Sequence, residues 1–102
     1  MMKSNYEYIK RLKLSMQSAL LGAVSENMRN ITVDICGNKI LLCFFIDGEV
    51  RDDDKENISI IETEVIADFE DDFDIETIIK RIDSPEPIIL SQGYSVFQRK
   101  ES

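Results

Sequence analysis

The stretch ITVDICGNKILLCFFI, residues 31–46, alternates apolar and other side chains on both sides of Gly37-Asn38. That pattern is two strands joined by a two-residue turn, and glycine at the first central position suits a type II′ turn. The implied register sets Ile31, Val33 and Ile35 opposite Phe44, Leu42 and Ile40, so one face of the hairpin is continuously apolar and belongs in a core. The other face carries Thr32, Asp34 and Cys36 against Cys43, Leu41 and Lys39, a mixed surface to be covered in part by another element or by a partner. In this register Cys43 faces Thr32, four pairs from Cys36, and the two sulfurs lie roughly 13 Å apart, beyond the roughly 7 Å Cα reach of a disulfide. Two free thiols favour a reducing cytosol.

Working outward, residues 5–24 place Ile9, Leu12, Met16, Ala19, Leu20 and Ala23 at the spacing of a helix that buries one face. Residues 53–69 form a second helix whose buried stripe is Ile58, Ile61, Val65 and Phe69, with Ile60 outward among Glu56, Thr63, Glu64 and Ala67. Asp52 or Asp53 would cap it, with Glu56 closing a capping box on Asp53. The segment DIETIIKRID fits a helical stripe, yet its β-branched richness favours a strand over residues 75–82. Pro85 and Pro87 then interrupt the chain, and YSVFQRK alternates as a final strand. The expected fold is α+β in the order α-β-β-α-β-β, an antiparallel sheet of three to four strands packed with two helices, in a single domain spanning residues 1–102.

Apolar residues make up 43% of the chain, as in a globular protein, and no uninterrupted apolar run is long enough to span a membrane. The basic N-terminus precedes a segment broken by Ser15, Gln17 and Ser18, which reads as an amphipathic helix rather than a signal peptide. Net charge is −8, from 20 acids against 12 bases, and 14 of those acids lie between Asp47 and Glu76 with only Arg51 and Lys55 opposing them. Such a field repels nucleic acid and membrane surfaces and steers basic proteins toward itself.

Chemical motifs are few. The absence of histidine removes the commonest general base and the histidine-activated nucleophiles. The two cysteines lack a metal spacing, the glycines form no phosphate loop, and DGEVRDDDKENI lacks the ligand alternation of a calcium loop. No cofactor is implied. Two other classes stay open: an acidic adaptor for a basic protein, and an enzyme using carboxylates alone or with Mg²⁺.

The succession LLG at 20–22, NMRNITVDI at 27–35, FFIDGEV at 44–50, DKENISIIETEVIADF at 55–69 and VFQRKE at 96–101 resembles small bacterial immunity proteins of contact-dependent growth inhibition and related polymorphic toxin systems. The resemblance implies a non-enzymatic cytoplasmic protein that binds and neutralises the C-terminal toxin domain of a large effector, often a nuclease such as a tRNase. The partner would present a basic surface, and a monomer is the expected state.

An acidic face could occupy the phosphate-binding cleft of such a toxin. The candidate contacts are Asp47, Glu49, Asp52, Asp53, Asp54, Glu56 and Glu64, with Ile60 as an apolar anchor inside a charged rim. Asp68, Glu70, Asp71, Asp72 and Asp74 form a second cluster at the other end of the helix. Each also has an ordinary explanation: Asp47 as a turn residue before Gly48, Asp52 and Asp53 as caps, and Asp68 as a partner for Arg81 or Arg99. Arg29 and Arg99 read as structural, held in internal ion pairs.

Overall fold

The computed structural model describes residues 5–90 and 93–101. Its centre is the hairpin of β1 (Met28–Cys36) and β2 (Lys39–Ile46). Their pairing runs Ile31 to Phe44, Thr32 to Cys43, Val33 to Leu42, Ile35 to Ile40 and Cys36 to Lys39, the register expected from the alternation. Gly37 takes φ +63° while Asn38 keeps a negative φ, as a type II′ turn requires. The core side chains of both strands are buried, with Ile31, Ile40, Leu42 and Phe44 wholly so.

The ladder shifts at its open end, where Met28 pairs with Ile46 but Asn30 with Phe45. Arg29 is therefore the extra residue of a β-bulge, a device that re-aims a side chain out of the regular alternation.

Helix α1 (Asn5–Ala19) lays Ile9, Leu12, Met16 and Ala19 on the sheet. It ends five residues before the predicted limit; the chain then turns through Gly22 at φ +77° and still buries Ala23. Helix α2 (Asp52–Ala67) buries Ile58, Ile61 and Val65, and Phe69 follows in the same core. Each such side chain taken from water contributes about 1.5–3 kcal/mol. Tyr8, Phe69 and Phe73 close one end of the core, with centroids 5.1 Å apart for Tyr8–Phe73 and for Phe69–Phe73.

Strands β3 (Asp74–Arg81) and β4 (Tyr94–Gln98) complete a four-stranded sheet in the order β3-β2-β1-β4. The element order matches the expectation, but the sheet is mixed rather than antiparallel: β2 and β3 run parallel from Lys39–Asp74 to Ile46–Arg81. The cause is α2. A 16-residue helix spans about 24 Å, close to the length of β2, and carries the chain back to the end where β2 began. Strand β3 then starts beside Lys39 and repeats the direction of β2. Strand β4 pairs antiparallel with β1 at the opposite edge.

Both helices lie on one face of the sheet. The other face is the mixed surface of the hairpin, and the segment after β3 crosses part of it on its way to β4, bringing Ile89 and Leu90 over Leu41, Cys43, Phe45 and Ile78.

Candidate partner-binding surface

Helix α2 starts one residue earlier than the sequence implies, with Arg51 as N-cap in an extended conformation. The inward acid of the first turn is consequently Asp54. Its carboxylate accepts the Arg51 backbone N–H at 2.8 Å and the Asn27 side-chain amide at 2.7 Å, and the residue is 1% exposed. Burial raises the Asp54 carboxyl, but hydrogen bonds from Asn27, the Arg51 N–H and Ser25 outweigh it and leave the pKa below the ordinary aspartate value. The cap is thus Arg51 with Asp54, not Asp52 or Asp53 with Glu56. Asp54 lies beneath the surface and is no part of a contact face.

Asp52, Asp53, Glu56 and Glu64 are exposed on the outward side of α2. Ile60 lies among them at 44% exposure, one helical turn from Glu56 on one side and from Glu64 on the other. Among the described residues none of these four carboxylates makes an ion pair or a side-chain hydrogen bond. Glu49, also exposed, precedes the helix in the β2–α2 turn.

The second cluster is partly committed to holding the helices together. Asp68 accepts the Ser15 hydroxyl at 2.6 Å, so its partner is α1 and neither Arg81 nor Arg99. Glu70 pairs with Arg11 at 2.5 Å, and that hydrogen bond, ahead of burial in the opposite sense, holds its carboxyl below the usual range. The same guanidinium stacks 5.3 Å from the Phe69 ring centroid and 5.5 Å from that of Tyr8. Asp71 and Asp72 are exposed in the approach to β3 and Asp74 is its exposed first residue; the Asp72 carbonyl accepts the Asn38 amide, and the Asp74 N–H donates to the Asn38 carbonyl.

Asp47 belongs to a polar network at the bulged end of the sheet. Its carboxylate accepts the Ser84 N–H at 3.0 Å and the Arg99 guanidinium at 3.1 Å, which together lower its pKa. Arg29, 5% exposed, donates to both oxygens of Glu101 at 2.8 and 2.9 Å and to the carbonyls of Ile82 and Glu86. Arg99 also reaches Glu101 and the Glu26 carbonyl. The Arg29 bond, followed by that of Arg99, carries the Glu101 carboxyl down to about 2. Asp83 accepts from Arg81 and from the Gly48 N–H. Arg29 and Arg99 are structural as expected, and they fasten the segment after β3 and the C-terminal residues to β1.

The residues missed by sequence reasoning are apolar. Ile89 is 82% and Leu90 46% exposed, and with Leu41, Cys43, Phe45, Ile78 and Lys80 they border a cavity of about 100 Å³ on the helix-free face. IILSQGYS has neither helical nor strand periodicity, so no local signal marked them. Cys36 and Cys43 are free thiols; burial raises the Cys43 pKa, with Lys80 and Thr32 opposing.

Among the described residues, no three His, Cys, Asp or Glu side chains converge to hold a metal ion, and no helix is long and apolar enough to cross a membrane. Against known families, the MafI2 immunity protein model matches residues 9–101. Comparison with curated proteins finds no match.

Proposed function

The chain belongs to the MafI2 immunity protein family, a family of toxin immunity proteins, and from that premise we propose that it binds its cognate toxin domain through the outward face of α2 and neutralises it by occupying a basic, phosphate-binding cleft. The observation that carries the reading is the set of unpaired carboxylates of Asp52, Asp53, Glu56 and Glu64 around the half-exposed Ile60. The four acids repel one another less when a basic surface meets them, and they lose no internal partner on binding. Ile60 supplies the desolvated anchor that a charged rim surrounds. Glu49, exposed in the turn before the helix and close enough to Arg81 to help raise its pKa, adds negative charge at that end, while Asp71, Asp72 and Asp74 lie about the length of the helix away and serve as a subsidiary rim.

The toxin in this reading is a nuclease such as a tRNase, delivered by contact-dependent growth inhibition or a related system and met in the cytoplasm. The immunity protein needs no chemistry of its own. Its carboxylates stand where substrate phosphates would, and long-range attraction speeds capture of a delivered toxin before it acts.

Co-expression with the toxin domain encoded beside it is the test. Growth should be restored and a stoichiometric complex recovered, with RNA cleavage suppressed in the lysate. Cell death with no complex would end the reading.

A further inference from the structure

The outer edge of β3 carries no strand among the described residues. It is eight residues long, regular along all its pairs with β2, and free of proline and bulges. Edges of that kind offer unpaired backbone groups to another chain. The Asp74 and Ile82 amides donate to Asn38 and Ile46 on the β2 side. By the alternation of a ladder, Ile75, Thr77, Ile79 and Arg81 therefore aim their N–H and C=O groups outward. Glu76, Ile78 and Lys80 place side chains on the helix-free face, and Ile78 and Ile79 are 41% and 39% exposed.

The strand sequence DIETIIKR is acidic in its first half and basic in its second. An antiparallel neighbour must match outward backbone to outward backbone and keep each face continuous. A second copy turned about a two-fold axis through Ile78 meets both conditions. Thr77 then faces Ile79, Ile75 faces Arg81, Ile78 packs on its own equivalent, and Glu76 meets Lys80 twice. A strand of uniform charge would be repelled at one end, whereas the same strand reversed is attracted at both.

We propose that β3 pairs antiparallel with β3 of a second copy of this chain, joining the two four-stranded sheets into one. The sequence favours a monomer; the exposed, regular edge of β3 is what argues for the dimer. The proposal rests on the backbone and charges of the β3 edge and not on the acids of α2, so it is tested separately from toxin binding.

The test is light scattering of the purified chain over a wide concentration range, with Glu76→Lys, Lys80→Glu and the double reversal. Mass should rise from one chain toward two. Each single reversal should weaken association at least about tenfold, and the double should recover it, because opposite charges face each other again. Glu76 also pairs with Lys39 within its own chain at 3.5 Å, but that contact is lost in the double reversal too. Recovery can therefore come only from across the interface. In the wild-type chain, amide exchange at Ile75, Thr77, Ile79 and Arg81 should slow as concentration rises. A constant monomer mass, exchange independent of concentration, or a double reversal no better than the singles in a folded protein would overturn the proposal.

Discussion

Replacing Asp54 by alanine should destabilise the protein by about 3 kcal/mol while leaving the exposed acids on the outward face of α2 in place. The estimate adds about 1 kcal/mol for a lost helix cap to about 2 kcal/mol for leaving the Asn27 amide unpaired, since that residue is 6% exposed and water reaches it poorly. For a chain of this size the shift in thermal midpoint is roughly 15 °C, at about 4–8 °C per kcal/mol. Urea titration followed by circular dichroism would measure it, with Asp52→Asn and Asp53→Asn as controls expected to change stability by less than about 1 kcal/mol through the helix dipole. The contrast has a pH signature. The folded-state pKa of Asp54 lies below the unfolded value of about 3.9, so its contribution is complete above about pH 4 and is lost as pH falls through the folded-state pKa. Asp54→Ala should remove that part of the acid dependence. A change below about 0.5 kcal/mol, or equal losses at all three aspartates, would refute the assignment of Asp54 to the interior.

Arg29→Met should cost about 3 kcal/mol, since a buried charge and its acceptors are separated, and hydrogen exchange should show residues 82–90 released from the sheet. Ile61→Ala should lose about 3–4 kcal/mol from a wholly buried site. Ile60→Ala, one position earlier, should leave stability within about 1 kcal/mol but raise the toxin dissociation rate about tenfold. Acid titration should show stability falling from about pH 4.5 toward pH 2, because Glu101, Asp47, Asp83 and Glu70 all have depressed folded-state pKa values and their stabilisation drains away as they protonate. A flat profile over that range would contradict the network drawn at the bulged end of the sheet.

The hairpin was legible in the sequence because a two-residue turn and a one-sided apolar alternation admit a single register. Slipping it by one residue would expose Val33 and bury Asp34. Helix α2 was legible for the same reason, its apolar stripe leaving Ile60 outside. The direction of β3 was not. DIETIIKR pairs equally well either way round, and only the return path of α2 decides between them. The acids looked alike in sequence, yet the fold sorts them by position in the first helical turn and by distance from Arg29, Arg99 and Arg11. Asp54 points under Asn27 and Asp47 is fastened to Arg99, while Asp52 and Asp53 stay in water. The bulge that turns Arg29 inward left no pattern in the sequence, since one extra residue at a strand end does not disturb the alternation beyond it.

In the proposed function, the outward face of α2 captures the toxin by charge. Stopped-flow association of the immunity protein with its purified toxin domain, measured against salt for the wild type and for the triple reversal Asp52→Lys, Asp53→Lys and Glu56→Lys, addresses it most directly. The wild-type rate should fall steeply with ionic strength, and the triple variant should be at least about tenfold slower at low salt with a much shallower slope. Equal rates and equal slopes in a folded variant would contradict it.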